Sequence, residues 1–238
     1  MTSGNGRARS LVSLVGSEAD VVFYRRQLSE FEQPVLVLGC GNGRLAWELG
    51  EALPGILGVD PSPGMIALAE EGAAHRSPTN AGRVRFITAD LRSLRLAEKF
   101  GAVLAPRNAL ALMPSVLDLE AMIATARHHL SPGGMLLFDA VNPSRASGPA
   151  RDSEGDAALD LWTHHNTFAP HLRERRRVGH GTGESIRRLR LRQFSPAEID
   201  AALEGGGFVA SSRYGRFDEK PFDAHDPLQI VVASLRIE

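Results

Sequence analysis

Gly39-Cys40-Gly41-Asn42-Gly43 separates the apolar run Val35 to Leu38 from a helix-like segment, Leu45 to Leu53. Three glycines in such a turn let the backbone come close to a ligand, and the helix that follows presents free amide donors at its N-terminus. The next apolar run, Ile56 to Val59, is closed by Asp60, 21 residues after Gly39. That is near the offset of about 20 at which an acid reaches ribose hydroxyls in doubly wound sheets. Strand, glycine turn, helix, strand and acid, in that order, predict a nucleoside-containing cofactor at the carboxyl edge of a parallel sheet.

The flanking segments follow the same alternation. From Ser17 to Phe31, the residues Val21, Tyr24, Leu28 and Phe31 recur at helical spacing, and Gln33-Pro34 stops the helix. Ser62 as cap and Pro63 at the first helical position open a helix that runs to Glu71. Val84 to Thr88 and Ala102 to Ala105 read as strands, Val116 to Leu130 as a helix, Ser131 to Gly134 as a turn and Met135 to Ala140 as a strand. Short continuous apolar strands between helices predict a parallel sheet covered on both faces. The alternation breaks after Asn142-Pro143. Leu159 to Phe168, Leu172 to Val178 and Ile186 to Phe194 then look like three antiparallel strands, before a capping box, Ser195 with Glu198, opens a last helix that ends at Gly205 to Gly207. Phe208 to Phe217 and Gln229 to Ile237 are the closing strands. The expected fold is therefore α/β, a doubly wound, mostly parallel seven-stranded sheet carrying an inserted antiparallel β subdomain. The core domain spans 1–143 and 195–238, and the insertion 144–194.

The glycine spacing narrows the cofactor. A dinucleotide fingerprint needs G-x-G-x-x-G, but the third glycine here is Gly43 and Arg44 follows it. No Tyr stands four residues before a Lys, as short-chain reductases require, and neither a Walker loop nor an HExxH pair occurs. Composition removes further classes. In 238 residues, 43% are apolar and 23% charged, and no apolar run reaches the roughly 18–20 residues of a membrane helix. Arg7 and Arg9 precede an apolar stretch, Leu11 to Val15, that is too short for a signal peptide. Cys40 is the single cysteine, so neither an intrachain disulfide nor a thiolate-pair zinc site can form, and the cytoplasm is the expected compartment. A net charge of -1 lacks the footprint of a dedicated nucleic-acid binder.

The chain resembles the class I S-adenosylmethionine-dependent methyltransferases over most of its length. VLVLGCGNGRLAWEL is similar to the family's first motif, GVDPSPGMIALAEE to its second, VRFITADL to its third, FGAVLAPRN to its fourth, and LSPGGMLLFD to the strand that follows. The resemblance implies S-adenosyl-L-methionine as cofactor and no metal. It implies that Gly39, Gly41 and Gly43, with Cys40 between them, lie under the methionine part, that Asp60 binds both ribose hydroxyls and that Pro61 and Met65 border the adenine. It places Asp90 and Leu91 at the polar edge of the base and Arg107 and Asn108 near the sulfonium. Tyr24 of the first helix joins the cofactor-binding set.

Two positions depart from the family. The acid usual two residues before the first glycine is Val37 here, so the cofactor's amino group needs another partner; and the His usual four residues after Asn108 is Leu112. No catalytic residue is mandatory, because an in-line methyl displacement depends mainly on proximity and orientation. A base is needed only for a hydroxyl or a protonated amine, for which His164, His165, His171 and Tyr214 are the candidates. His128-His129 reads as a favourable charge against a helix dipole, and Cys40 as a small, unreactive side chain. The run Arg173 to Arg177 and the arginines Arg187, Arg188, Arg190 and Arg192 make the insertion basic. They form a solvated face, or they meet an anionic acceptor through bidentate pairing. The expectation is a methyltransferase acting on an N or O atom of a small molecule, with no nucleic-acid or membrane partner and room for a homodimer. A tRNA or rRNA methyltransferase and a non-catalytic cofactor-binding protein are the alternatives.

Overall fold

The computed structural model describes residues 18–143, 157–161, 171–177 and 184–236, with side chains described outside the three strands between 157 and 190. Five strands in the first part are β1 (Val35–Leu38), β2 (Ile56–Asp60), β3 (Val84–Thr88), β4 (Phe100–Ala105) and β5 (Leu130–Val141). Between Ala157 and Arg190 follow β6 (Ala157–Leu161), β7 (His171–Arg177) and β8 (Glu184–Arg190), and the chain closes with β9 (Phe208–Tyr214) and β10 (Leu228–Leu235). The helices are α1 (Glu18–Gln27), α2 (Arg44–Gly50), α3 (Pro63–Glu71), α4 (Pro78–Arg83), α5 (Val116–His129) and α6 (Pro196–Gly205).

Seven of these strands form one sheet in the order β3-β2-β1-β4-β5-β10-β9. Pairing is parallel from β3 through β5, and β10 runs antiparallel to both β5 and β9. The chain winds outward from β1 to β3 and then restarts on the other side at β4, so the winding direction reverses between β1 and β4. Open α/β sheets bind ligands at the carboxyl ends of the strands beside such a reversal. The strands β6, β7 and β8 form a second, antiparallel three-stranded sheet.

The period of two along β1 explains why all four of its residues are apolar. Leu36 and Leu38 pack on one face with Leu119, Met122 and Ile123 of α5 and Ile199 and Leu203 of α6. Val35 and Val37 pack on the other with Phe23, Tyr24 and Leu28 from the α1 segment and Leu45, Trp47 and Leu49 of α2. After β8, helix α6 and the strands β9 and β10 complete the sandwich.

Helix starts follow their caps. Ser62 accepts from the Met65 amide at 3.4 Å, Ser115 from Asp118 at 3.1 Å, and the Ser195–Glu198 capping box is closed in both directions. The short α4 was not expected from periodicity. It begins with the same Ser-Pro step, Ser77 accepting from the Asn80 amide at 3.2 Å. Helix α1 ends at Gln27 rather than Phe31, and the expected turn at Ser131 to Gly134 lies inside β5. It is an irregularity in the ladder: Phe100 pairs with Leu130 but Ala102 with Met135.

Candidate functional site

The glycine loop leaves β1 under tight backbone control, with the amides of Gly39 and Cys40 both donating to the Val59 carbonyl, at 2.8 and 3.0 Å. Its glycines do different work. A Cβ on Gly43 would sit 2.7 Å from the Phe86 ring and 2.9 Å from Ala69 Cβ, and one on Gly39 would sit 2.8 Å from Ala109 Cβ. Gly41, at φ +56°, has nothing within 4 Å of its missing Cβ. Packing thus requires Gly39 and Gly43, while Gly41 borders open space at the carboxyl edge of β1.

Asp60 ties this loop to the next one. One carboxylate oxygen accepts from the Gly41 amide at 3.0 Å and the other from the Ser62 amide at 2.9 Å, and the residue is buried. Cys40 is half-buried, and burial together with the Asp60 charge pushes its thiol up to about 12, which leaves it protonated and inert. Pro61 is exposed and Met65 half-buried at the start of α3. After β3, the Asp90 carboxylate is gripped by Arg92, at 2.9 Å to Nε and 2.6 Å to a terminal nitrogen, and Arg92 reaches on to Asp118 at 2.7 Å. These bonds hold the Asp90 carboxyl down at about 2. The Leu91 side chain lies in the core beneath Gly39.

A second group forms at the ends of β4 and β5. Asp139 is completely buried and accepts three hydrogen bonds: from the Tyr24 hydroxyl at 2.8 Å, the Arg107 amide at 2.7 Å and the Asn108 amide at 3.2 Å. Burial raises its carboxyl to about 6 against the lowering effect of these donors. Arg107 and Asn108 occupy left-handed backbone at φ 55° and 59°, a conformation costing non-glycine residues on the order of 1–3 kcal/mol each. Asp139 holds both amides, and the Asn108 side-chain oxygen accepts from the Val141 amide at 3.1 Å. The Arg107 side chain is exposed, yet surrounding protein desolvates it and Arg44 repels it, so its pKa is lowered. Tyr24 is fully buried and meets this site through Asp139.

Sequence reasoning missed Asp139, Asp20 and Arg44. Asp20, on α1, is fully buried and paired with the Arg44 guanidinium at the start of α2. The position of each acid was visible in the sequence, but its partners were not. Asp139 stands two residues before the end of a buried strand, and Asp20 stands four residues before Tyr24, on the face that α1 buries.

His164 and His165 lie outside the described residues, and His171 opens β7 opposite Arg190. Tyr214 ends β9, its ring 5.9 Å from that of Phe23, and the register row Tyr214, Ile230, Asp139 sets it two strands from the Asp139 position. His129 corrects the helix-dipole expectation. It is completely buried, with Nδ1 2.8 Å from the Thr125 carbonyl and Nε2 accepting from the Leu96 amide at 3.0 Å, and burial lowers its pKa. The ring is a neutral bridge between α5 and the chain before β4. Leu112 ends a 3-10 helix, Ala109–Leu112, directly after Asn108. Among the described residues, no cluster of His, Cys, Asp or Glu could hold a metal ion, and no helix is long and apolar enough to cross a membrane. A cavity of about 300 Å³ lined by Pro34, Pro54, Gly55, Arg83, Arg85 and Glu98 opens at the opposite edge, where the strands begin.

Residues 35–134 match the family model described as "Methyltransferase domain". The cypemycin N-terminal methyltransferase of a Streptomyces species is 31% identical over 120 residues, 49% of this chain and 46% of that protein. The human mitochondrial ubiquinone biosynthesis O-methyltransferase is 30% identical over 117 residues, 48% of this chain and 30% of that protein. The chain thus spans less than half the length of these two curated relatives. Among solved structures, the CcbJ methyltransferase from Streptomyces caelestis superposes with a TM-score of 0.77 at 23% identity, covering 92% of this chain and 95% of that one. The sheet order, the glycine turn and this superposition give the Rossmann-like fold of the class I methyltransferases.

Proposed function

We propose that this chain, whose residues 35–134 match a methyltransferase domain, is an S-adenosylmethionine-dependent methyltransferase acting on a nitrogen or oxygen atom of a small molecule. The observation that carries this reading is the open cradle at Gly41, bordered by Asp60 at the point where the sheet reverses. When bound, S-adenosylmethionine supplies an electrophilic methyl group on its sulfonium.

The chain's own part is to bind and orient. Asp60, held from two sides by amides, keeps lone pairs for the ribose hydroxyls. Pro61 and Met65 would border the adenine. Asp90 and the Leu91 amide would meet its polar edge, with Arg92 sharing the Asp90 carboxylate. Gly39, Cys40, Gly41 and Gly43 would carry the methionine part on their backbone. Arg107 and Asn108 would stand near the reacting centre, fixed by Asp139, with Tyr24 acting through that carboxylate. Such fixed placement suits a reaction whose acceleration comes chiefly from proximity, with effective molarities of about 10⁵ M or more. The insertion, read as residues 144–194, follows β5 in the chain and would cover the acceptor. Its arginines favour an anionic acceptor, and the single cysteine favours the cytoplasm.

A thermal-shift experiment tests the cofactor. S-adenosylmethionine or S-adenosylhomocysteine at about 100 times its dissociation constant adds roughly 2.7 kcal/mol and raises the midpoint, while NAD, NADP and ATP leave it unchanged. Stabilisation by NAD alone, or by none of these, overturns the assignment.

A further inference from the structure

Asp20 lies on the buried face of α1, with no part of it exposed to solvent. A carboxylate withdrawn from water needs partners for both oxygens. One oxygen of Asp20 takes the Arg44 guanidinium; the other, Oδ1, is buried with no hydrogen-bond partner among the described residues, and so is Nε of Arg44. The position is unusual in a second way. Arg44 follows the glycine loop after β1, and Arg107 stands in the loop after β4, so the two cations come from the loops on either side of the sheet's reversal. Asp20 is close enough to act electrostatically on Arg107, as is Arg44. An unsatisfied buried carboxylate oxygen, with one guanidinium bonded to its twin oxygen and a second within electrostatic range, matches an amino-acid end group, which carries one cation and one anion.

The acid expected on β1 is absent. Val37 occupies that place and is packed in the core. We propose that Asp20 receives the α-ammonium group of the bound cofactor in place of that acid, with Arg44 and Arg107 facing its α-carboxylate. This rests on the reading of the cofactor as S-adenosylmethionine. Arg44 then has two tasks, fixing Asp20 in its ionised form and adding positive charge beside the carboxylate. Burial raises the Asp20 pKa, and the Arg44 bond and charge oppose that rise without cancelling it.

The test is titration calorimetry on the full chain with two probes, S-adenosylhomocysteine and its analogue in which hydrogen replaces the α-ammonium. The parent is expected to bind the deaminated probe at least about 10-fold more weakly, the scale of one hydrogen bond between charged groups. Asp20→Asn, near-isosteric and checked for folding by its thermal transition, is expected to bind S-adenosylhomocysteine about 10-fold or more weakly than the parent and to bind the two probes alike. Equal affinity of the parent for both probes overturns the assignment, whether or not the variant folds. A folded Asp20→Asn that still discriminates between the probes, or loses affinity for both equally, overturns it too. A parent that binds neither probe removes the cofactor reading itself, and this inference with it; binding without discrimination removes Asp20 alone.

Discussion

The Tyr24 hydroxyl donates to the Asp139 carboxylate across 2.8 Å and 115 residues of sequence, and both residues are fully buried. The bond links α1 to the end of β5, and through Asp139 to the amides of Arg107 and Asn108. Tyr24→Phe keeps the ring among Phe23 and Phe217 and removes the donor alone. Urea unfolding is expected to show a loss of about 1–3 kcal/mol, the range for a buried bond to a charged group. The loss should be larger at pH 7 than at pH 4.5, because the ionised carboxylate is the stronger acceptor. A variant as stable as the parent at both pH values would mean that the hydroxyl is readily replaced.

Asp139 also gives the chain a pH signature. The unfolded carboxyl releases its proton near 3.8, whereas the folded one holds it to about 6. Its contribution to stability is therefore fully present below pH 3.8 and lost as pH rises through 6, by an amount on the order of 3 kcal/mol. Asp90, held at about 2 by Arg92, works in the opposite sense: its contribution is present above pH 3.8 and fades as pH falls towards 2. Comparing the parent with Asp139→Asn isolates the first effect. The stability difference, parent minus variant, should fall between pH 4 and pH 7, and a difference independent of pH would sink the assignment of this titration to Asp139.

How legible these features were depended on the reach of the pattern that carries them. The strands β1 and β3 and the helix α3 fall where apolar runs and the Ser62-Pro63 start put them, because such signals are local. Helix α4 shares the Ser-Pro start, but Asn80-Ala81-Gly82 has no apolar stripe to announce it. The glycine loop and Asp60 were readable because 21 residues of strand, helix and strand fix their separation. The Asp139 cluster was not, since its donors come from α1 and from the loop after β4. His129 misled for the same reason: at a helix end a histidine looks like a cation against the dipole, until the Leu96 amide, 33 residues away, supplies a donor and excludes the charge.

The three loop glycines should respond differently to alanine. Gly41→Ala meets no atom, so it adds only the left-handed strain of about 1–2 kcal/mol, roughly 2–8 °C in thermal midpoint for a chain of this size. Its methyl group enters the cradle, and calorimetry should show cofactor affinity falling 10-fold or more. Gly43→Ala must push against Phe86 and Ala69, adding about 1–3 kcal/mol of overpacking to the same strain. Differential scanning calorimetry should rank Gly43→Ala well below Gly41→Ala in stability. The reverse order would place the open side of the loop at Gly43.

Asp60 supports two outcomes that a single variant cannot separate. Its carboxylate organises the loop, through the Gly41 and Ser62 amides, and it is the proposed partner of the ribose hydroxyls. Asp60→Ala removes both functions and leaves two amides without their acceptor. Cofactor affinity should fall by roughly 10- to 150-fold, the equivalent of about 1.5–3 kcal/mol for bonds to a charged group. Asp60→Asn keeps one acceptor oxygen but turns the other side of the group into a donor, which faces an amide it cannot bond. The ribose hydroxyls can donate or accept, so they tolerate the amide better than the backbone does. If loop order dominates, Asn is as poor as Ala and both variants melt earlier than the parent. If the ribose contact dominates, Asn recovers part of the affinity while the melting temperatures of Ala and Asn agree. Calorimetric affinities for S-adenosylhomocysteine beside its 2′,3′-dideoxy analogue decide the matter: where the ribose contact dominates, parent and Asp60→Ala differ for the first probe and bind the second alike, and where loop order dominates, the variant loses affinity for both. A parent that binds the two probes equally would mean that Asp60 serves only the glycine loop, and the ribose would then have to be placed elsewhere along the carboxyl edge of the sheet.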